Sequence, residues 1–300
     1  MAISSVRGAT ACGLLALLVW SCAPGLMRSV AQAFGTIGGA ALSYSLGAVL
    51  LLALFGRPRL RRSSPMYLVV GSALFVVYEV CLALALGYAN TSEQSIQVGV
   101  VNSLWPCLTV LLAIVMNGQS ARWIIVPGMA LALVGMTSVV SAQGLSLESF
   151  ARNIQSNPLS YSLALICSIS FALYCNVTRR YAQGENHVAL FFVLTAIALW
   201  VKYAFSSEVL PAFAWRPSLE LIALAISLGG GYALWNIGIL RGNLTLLATL
   251  SYFSPVMTSG FATLWLGASL PLPFWNGVVL VCVGSLLCWY ATRARTASAS

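Results

Sequence analysis

Ten apolar segments, each of about twenty residues and joined by short connections, constrain this sequence more than any other feature. An α-helix needs about 20 apolar residues to cross the hydrocarbon core of a bilayer. The sequence therefore predicts an all-α membrane protein with ten transmembrane helices, called spans one to ten below. The segments are residues 9–28, 36–56, 66–88, 94–116, 122–141, 158–180, 187–206, 218–240, 244–267 and 273–292.

The shortage of charged residues excludes most kinds of enzyme site. Charged residues make up 7% of the chain, against about 25% in ordinary globular proteins. The chain has no Asp, and Lys202 and His187 are its only Lys and His. Asp dyads, multi-His metal sites and Asp-based phosphoryl transfer therefore lack the residues they need. We expect no enzymatic activity, no metal and no cofactor, with an intramembrane enzyme and a channel kept as alternatives.

The net charge of +9 does not predict nucleic-acid binding, because the basic residues lie between apolar segments and are not interleaved with exposed aromatic residues. Cytoplasmic loops of membrane proteins carry an excess of Lys and Arg. Placing the amino terminus in the cytoplasm puts most basic residues on that side, so we expect both termini to be cytoplasmic. The cytoplasmic set is Arg7, Arg57, Arg59, Arg61, Arg62, Arg122, Arg179, Arg180, Arg241, Arg293 and Arg295, and the outer set is Arg28, Arg152, Lys202 and Arg216.

The longest connection, residues 142–157, divides the chain into halves of five spans, residues 1–150 and 151–300. The halves share residues at an offset of about 149, the difference between Pro255 and Pro106. Because each half holds an odd number of spans, equivalent helices cross the membrane in opposite directions, as in alternating-access transporters. The matches are Trp105-Pro106-x-x-Thr109 with Ser254-Pro255-x-x-Thr258, Gly118 with Gly267, and Trp20–Arg28 with Phe171–Arg179.

Small residues and the lone histidine are interpreted structurally. All eight cysteines lie inside apolar segments without a C-x-x-C pair, which favours buried apolar residues over disulfides or metal ligands. Gly35, Gly39, Ser43 and Gly47 form a stripe at steps of four in span two, which favours packing inside the bundle over a dimer face. His187 lies at the inner end of span seven, where we expect it at the surface.

Aromatic residues in the middle of spans are the first candidates for a transport site. Tyr and Trp normally prefer the membrane interface, because lipid tails offer no partner for the O–H or indole N–H. Their central positions indicate a protein-lined, partly wet interior, although packing between helices is the alternative for each ring. The candidates are Trp20, Tyr78, Trp105, Phe171, Tyr174, Tyr232, Trp235 and Tyr252.

Prolines in the middle of spans supply a second set of candidates. A Pro inside a helix has no N–H, so the carbonyl four residues before it loses its donor. Pro24, Pro106 and Pro255 would free the carbonyls of Trp20, Asn102 and Ser251. We expect these carbonyls, together with the amides of Asn102 and Asn236 and the hydroxyl of Ser254, to receive the ammonium and carboxylate groups of a zwitterion. A kink used only for packing or hinging is the alternative.

Glu79 is the only carboxylate well inside a span. An ionised acid at that depth costs about 2.5–3.5 kcal/mol on insertion scales, so Glu79 should face the bundle. It is predicted either to couple transport to protons or to bind a substrate ammonium, and a hydrogen-bonded structural acid is the alternative.

These features together resemble the EamA-type drug/metabolite transporter superfamily. The shared features are ten spans in two sets of five, an aromatic-to-Arg stretch opening each half, and a Pro near the middle of each fourth span. Within the superfamily, Val101-Asn102-Ser103-Leu104-Trp105-Pro106 and Gly230-Gly231-Tyr232-Ala233-Leu234-Trp235-Asn236 resemble the YddG-type family of aromatic amino acid exporters. The resemblance covers nearly the whole chain.

The resemblance implies a basket-shaped helical bundle in the bacterial inner membrane that exports aromatic and other neutral amino acids. Alternating access through a central aromatic-lined cavity would carry the substrate. We expect a monomer in the lipid bilayer with no nucleic-acid partner. Efflux of cationic aromatic drugs or other small metabolites is the alternative, and it would use the same rings.

Overall fold

A computed structural model describes residues 5–56, 58, 64–117, 121–141, 146–182, 187–209, 211, 214–242, 247 and 250–292. Over these residues the structure is helical, with short π-helical turns and no β-strand. The helices are α1 (Val6–Phe34), α2 (Thr36–Phe55), α3 (Ser72–Gly87), α4 (Ser92–Asn102), α5 (Trp105–Asn117), α6 (Ile125–Ser141), α7 (Leu147–Ser156), α8 (Pro158–Tyr181), α9 (Val188–Ala204), α10 (Trp215–Ala225), α11 (Gly231–Arg241), α12 (Ser254–Leu266) and α13 (Leu272–Thr292).

The prediction of an all-α membrane protein is confirmed. Within the described ranges, seven helical stretches are long and apolar enough to cross a membrane. Ile125–Ser141 and Val188–Ala204 are shorter apolar helices. The seven stretches are Val6–Phe34, Thr36–Phe55, Tyr67–Gly87, Ser92–Met116, Pro158–Thr178, Trp215–Gly238 and Leu272–Ala291.

Some sequence predictions fall outside the part of the chain that the structure describes. They concern residues 243–246 and 248–249 at the start of predicted span nine. They also concern six arginines of the predicted cytoplasmic set, which are Arg57, Arg59, Arg61, Arg62, Arg293 and Arg295.

The fourth predicted span, residues 94–116, consists of two helices with a break between them. Helix α4 ends at Asn102, and α5 begins at Trp105 with Pro106 in its first turn. Pro fits a first turn because the N–H it lacks has no helical partner there. In the second half, α12 begins at Ser254 with Pro255, and residues 252 and 253 form a turn.

Each half also contains a π-helical turn in its third predicted span. Tyr67–Gly71 leads into α3, and Ile226–Gly230 joins α10 to α11. A π-turn inserts an extra residue into a helix and re-aims the side chains that follow, often at functional sites. Each turn lies directly before a helix that carries mid-membrane aromatic residues, α3 in the first half and α11 in the second.

The connection between the halves contains a helix that was not predicted. Helix α7 begins after Ser146, whose hydroxyl accepts a hydrogen bond from the Ser149 N–H. Glu148 and Arg152 form an ion pair one turn apart on its exposed side. Phe150 and Ile154 pack against the core. The amphipathic pattern was present in the sequence, but the segment was too short and too polar to be recognised as a span.

Helices α6 and α13 cross with their backbones in close contact. A Cβ on Gly135 would lie 2.6 Å from the Gly277 carbonyl oxygen, and a Cβ on Gly128 would lie 3.0 Å from the Gly284 carbonyl oxygen. Such small residues let membrane helices approach closely. Gly128 with Gly277, and Gly135 with Gly284, are each 149 residues apart.

The main core contains residues of both halves, because the principal helix pairs join one half to the other. Helix α1 packs on α11 and α12, while α8 packs on α3 and α5. Helix α2 packs on α9, and α6 packs on α13. If α1 is matched with α8, α3 with α11 and α5 with α12, the contacts that α1 makes with the second half correspond to those that α8 makes with the first half. The centre of the bundle is therefore shared by the two halves.

Candidate functional site

Nine aromatic side chains from α1, α3, α5, α8, α9 and α11 form a continuous group in the middle of the bundle, here called the aromatic cluster. Each ring touches at least one other, and both halves of the chain contribute. Its members are Trp20, Phe75, Tyr78, Trp105, Phe171, Tyr174, Phe192, Tyr232 and Trp235.

One end of the aromatic cluster is formed by Trp20 of α1 against α11. The Trp20 ring lies 4.8 Å from the Tyr232 ring and 5.5 Å from the Trp235 ring, between centroids. Gly231 lies directly beneath the indole, and its lack of a side chain permits this approach. The predicted ring residues of spans one and eight are therefore in mutual contact.

The other end is formed by Phe171 of α8. Its ring lies 4.3 Å from the Tyr78 ring and 4.9 Å from the Trp105 ring. Phe171 is the residue that the sequence alignment matched with Trp20, and each contacts the third span of the opposite half. Trp105 and Trp235 therefore both contact other rings of the cluster.

Phe75 joins the two ends and was not predicted. Its ring lies 5.5 Å from the Tyr232 ring, 5.4 Å from the Tyr174 ring and 6.5 Å from the Tyr78 ring. The residue is completely buried. A signal was available, because Phe75 precedes Tyr78 by three residues and Glu79 by four, which places all three on one helix face.

Glu79 is buried beside the aromatic cluster, with 2% of its surface exposed. The hydroxyl of Tyr44 donates a hydrogen bond to one carboxylate oxygen at 2.5 Å, and the hydroxyl of Tyr232 donates to the other at 3.0 Å. The prediction that Glu79 faces the bundle is confirmed. Tyr44 was not predicted, although a tyrosine in the middle of a span needs a partner for its O–H.

The carbonyl of Asn102 has a protein partner, which corrects the expectation that it stands free for a ligand. The Ser168 hydroxyl donates to it at 3.0 Å. The side-chain oxygen of Asn102 accepts a hydrogen bond from the Cys167 thiol, also at 3.0 Å. Membrane interiors require such compensation for freed carbonyls. Asn102 therefore ties the break in span four to α8.

Asn236 differs from Asn102. Its side-chain nitrogen is buried and has no hydrogen-bond partner in the described ranges. An amide nitrogen carries two donors, and Asn236 directly follows Trp235 of the aromatic cluster. These donors are the kind of group that receives a carboxylate.

The predicted site residues of span nine lie away from the aromatic cluster. Tyr252 contacts the ring of Trp289 in α13, at 6.5 Å between centroids. Ser254 and Pro255 occupy the first turn of α12. Spacing in the sequence suggested a position equivalent to Trp105 and Pro106, but the structure does not bring these residues to the aromatic cluster.

His187 is completely buried, so the expectation of a surface position is wrong. Its ring contacts those of Tyr67 and Phe191. The side chain is covered because α3 and its π-turn pack against α8 and α9 at this end of the bundle. The sequence gives no sign of this packing, since His187 stands next to a polar connection.

The side chains of all eight cysteines are buried or half-buried, as predicted. None of them forms a disulfide. Cys107 and Cys288 approach each other with 3.3 Å between their sulfur atoms. Among the described residues, no group of three or more His, Cys, Asp and Glu side chains could hold a metal ion.

Comparisons with known proteins place this architecture among transporters. A model of the EamA-like transporter family matches residues 158–290. The chain is 48% identical over 288 residues to a protein named aromatic amino acid exporter YddG from Salmonella typhimurium, covering 96% of this chain and 98% of that relative. Its identity to the protein of the same name from Escherichia coli K12 is 49% over 286 residues, covering 95% and 98%.

Two more distant matches extend the comparison. A protein of the same name from Ancylobacter novellus is 30% identical over 264 residues, covering 85% of this chain and 88% of that relative. A solved crystal structure with 24% identity superposes with a TM-score of 0.65, covering 96% of this chain and 99% of the other. That structure shows a similar fold over nearly the whole length.

Proposed function

This chain belongs to the EamA-like transporter family, and on that premise we propose that it exports aromatic and other neutral amino acids across the bacterial inner membrane. The observation that carries the proposal is the aromatic cluster, built by both halves of a multi-pass membrane protein around a buried carboxyl. The relatives named YddG are described as aromatic amino acid exporters, which agrees with a site lined by rings.

The rings of the site would bind the apolar side chain of the substrate. Trp20 and Trp235 at one end, and Tyr78 and Trp105 at the other, offer flat faces for offset or edge-on stacking. Tyr174 and Tyr232 complete the wall beside Phe75. Burial of one aromatic side chain gives about 1.5–3 kcal/mol, and millimolar affinity corresponds to about 4 kcal/mol. Weak binding suits an exporter that must release its substrate.

Polar groups would receive the charged end of the amino acid. The buried amide of Asn236 offers donors for the carboxylate. Glu79 is the acid nearest the rings and a partner for the ammonium. In the proposal, the residues at the two helix breaks reach the substrate when the breaks rearrange during transport. These residues are Asn102 and Pro106 at one break, and Tyr252, Ser254 and Pro255 at the other.

We propose that residues 1–150 and 151–300 are inverted repeats that rock about the shared centre. Four observations support this arrangement. Helix breaks occur at residues 103–104 and 252–253, and a π-turn lies within each aromatic third span. The glycines of the α6–α13 crossing match at the same offset, and the main helix pairs occur in equivalent sets. The arrangement has ten spans with both termini in the cytoplasm.

The test is counterflow of labelled phenylalanine in proteoliposomes, with competition by a panel of amino acids and organic cations. We expect inhibition by aromatic and other neutral amino acids. Trp20→Ala should raise the concentration of tryptophan needed for half-maximal competition. Trp123→Ala is the matched control, because 78% of Trp123 is exposed and it lies outside the cluster. A wild-type protein without phenylalanine counterflow would contradict the proposal.

Efflux of cationic aromatic drugs is the second candidate, and Glu79 is the observation in its favour. A carboxyl among aromatic rings suits a cation held over ring faces. Competition by methylated aromatic cations, with none by neutral amino acids, would favour this candidate over amino acid export.

A further inference from the structure

A small cavity lies beside Tyr44, on the side where α2 begins. It is enclosed by α1, α2, α3 and α10, and its polar walls are the side chains of Thr36, Ser43 and Tyr44. Its size corresponds to about one water molecule. The aromatic cluster described above does not include this space.

The cavity begins at a direct partner of Glu79. Tyr44 forms part of its wall, and the hydroxyl of Tyr44 donates the 2.5 Å hydrogen bond to the Glu79 carboxylate. Ala83 also lines it and lies four residues after Glu79, one turn further along α3. The cavity therefore starts within one helical turn of the carboxyl.

The cavity ends near the first residue of α2. Thr36 and Tyr44 are eight residues apart, which corresponds to about 12 Å along a helix. At this end the half-buried carboxylate of Glu208 accepts hydrogen bonds from the N–H groups of Ile37 and Gly38, each at 3.0 Å from one oxygen. The row formed by Thr36, the cavity and Tyr44 therefore ends close to a carboxylate at the start of α2.

We propose that Glu79 exchanges a proton with the outer side of the membrane through Tyr44 and this cavity, so that amino acid export is coupled to proton entry. The inference rests on the proposed function. To release its proton, Glu79 passes it to the phenolic oxygen of Tyr44, which gives its own proton to a water molecule in the cavity. The carboxylate that remains accepts hydrogen bonds from Tyr44 and Tyr232, and the reverse transfers load it again.

The groups around Glu79 suit a proton site rather than a permanent ion pair. In the described part of the chain no Arg, Lys or His pairs with it. Among the described residues, the other titratable groups that face it are weak acids. From α9, the apolar ring of Phe192 packs against Tyr44 and Tyr232, the two partners of Glu79. These weak acids are Tyr44 of α2, Tyr78 of α3, Cys167 of α8 and Tyr232 of α11.

Glu79 also connects the proton to the movement of helices. Its hydrogen bonds reach α2 in the first half and α11 in the second. Protonation gives one carboxylate oxygen an O–H that donates, so the carboxyl can no longer accept from both phenols in the same way. A change in protonation therefore changes a contact between the two halves.

The experiment uses the full-length protein in proteoliposomes with an acidic interior and labelled phenylalanine in an alkaline bath. The wild-type protein should accumulate phenylalanine above the bath concentration, because protons leave as substrate enters. Glu79→Gln should lose this accumulation. Tyr44→Phe should slow it several-fold, since the phenylalanine ring keeps the packing but cannot relay a proton.

A variant that fills the cavity separates proton access from folding and substrate binding. Ala40→Leu projects into the cavity from α2, and it should slow gradient-driven uptake several-fold while counterflow at equal pH is retained. Ala53→Leu is the matched control, because Ala53 lies on the same helix with an exposed side chain, and it should leave both rates unchanged.

The outcomes distinguish this inference from the proposed function. Absence of phenylalanine counterflow in the wild-type protein would overturn the proposed function. Phenylalanine counterflow without accumulation driven by the proton gradient would overturn only the proton coupling. Accumulation that persists in Glu79→Gln, or that is equally fast in Ala40→Leu and Ala53→Leu, would overturn the assigned route.

Discussion

At the residue scale, the shape of the site depends on one close contact between Trp20 and Gly231. The indole of Trp20 occupies the space where a side chain at position 231 would be. This contact sets the distance between Trp20 and the rings of Tyr232 and Trp235. Gly231 is needed here for close approach rather than for a special backbone conformation, because it lies in a regular helical turn.

Gly231→Ala should therefore weaken the binding of aromatic substrates. The new methyl group displaces the indole, and we expect the half-saturation constant for phenylalanine to rise several-fold in counterflow. Gly260→Ala is the control, because a Cβ there meets no atom within 4 Å. Its effect should be neutral or stabilising by about 0.5–1 kcal/mol, as is usual for Gly to Ala in a helix. Equal affinity in the two variants would contradict a binding role for the Trp20 position.

At the element scale, the break between α4 and α5 places Pro106 next to the aromatic cluster. A continuous helix would pair the Asn102 carbonyl with an N–H at position 106, which Pro lacks. Instead the Ser168 hydroxyl of α8 satisfies that carbonyl, and Trp105 opens the next helix against Phe171. The break therefore fixes the position of Trp105.

Pro106→Ala should reduce substrate transport by allowing α4 and α5 to join. With an N–H at position 106, the helical hydrogen bond competes with Ser168 and the Trp105 ring is rotated. We expect weaker binding and slower flux of phenylalanine. Pro127→Ala is the comparison, because Pro127 also lies near the start of a helix but outside the site. Affinity and flux that both remain unchanged in Pro106→Ala would remove the proposed role.

We expect the thermal stability of the protein to depend most strongly on the crossing of α6 with α13. Gly135→Val places a branched side chain against the backbone of Gly277. Overpacking of this kind costs about 1–3 kcal/mol, so the aggregation temperature in detergent should fall by several degrees. Leu133→Val, at an exposed position of the same helix, should have a much smaller effect. Similar temperatures for the two variants would show that the crossing can relax.

At the scale of the whole molecule, the distribution of basic residues predicts the orientation in the membrane. Arg7 and Arg122 belong to the cytoplasmic set, whereas Arg152 of α7 belongs to the outer set. The helices pair across the two halves, so the orientation of one half fixes that of the other. Both termini and the inner end of the α6–α13 pair should then be in the cytoplasm.

Reporter fusions test this orientation. Green fluorescent protein at the carboxyl terminus should fluoresce, and alkaline phosphatase at the same place should be inactive, because it requires disulfides that form outside the cytoplasm. Phosphatase fused after Ser156, at the end of α7, should be active. Phosphatase activity from the carboxyl-terminal fusion would reverse the proposed orientation, and with it the direction of proton movement.

The sequence alone determined the class of molecule, because a bilayer leaves few alternatives for long apolar segments. Backbone groups in lipid must be paired within each segment, so apolar length and the scarcity of charge predict membrane helices without any knowledge of packing. The burial of Glu79 followed from the same argument, since an isolated charge cannot face lipid. The ring candidates in spans one, three, four, six and eight were also predicted from position.

Only the tertiary structure decided which of these residues meet. Phe75 contacts rings from both ends of the aromatic cluster, Tyr44 donates a hydrogen bond to Glu79, and Tyr252 contacts Trp289. None of these contacts can be predicted from the periodicity of a single helix. The burial of His187 and the pairing of the Asn102 carbonyl with Ser168 likewise depend on neighbouring helices. A side chain's depth in the bilayer is a property of its own segment, whereas its partner is a property of the helix packed beside it.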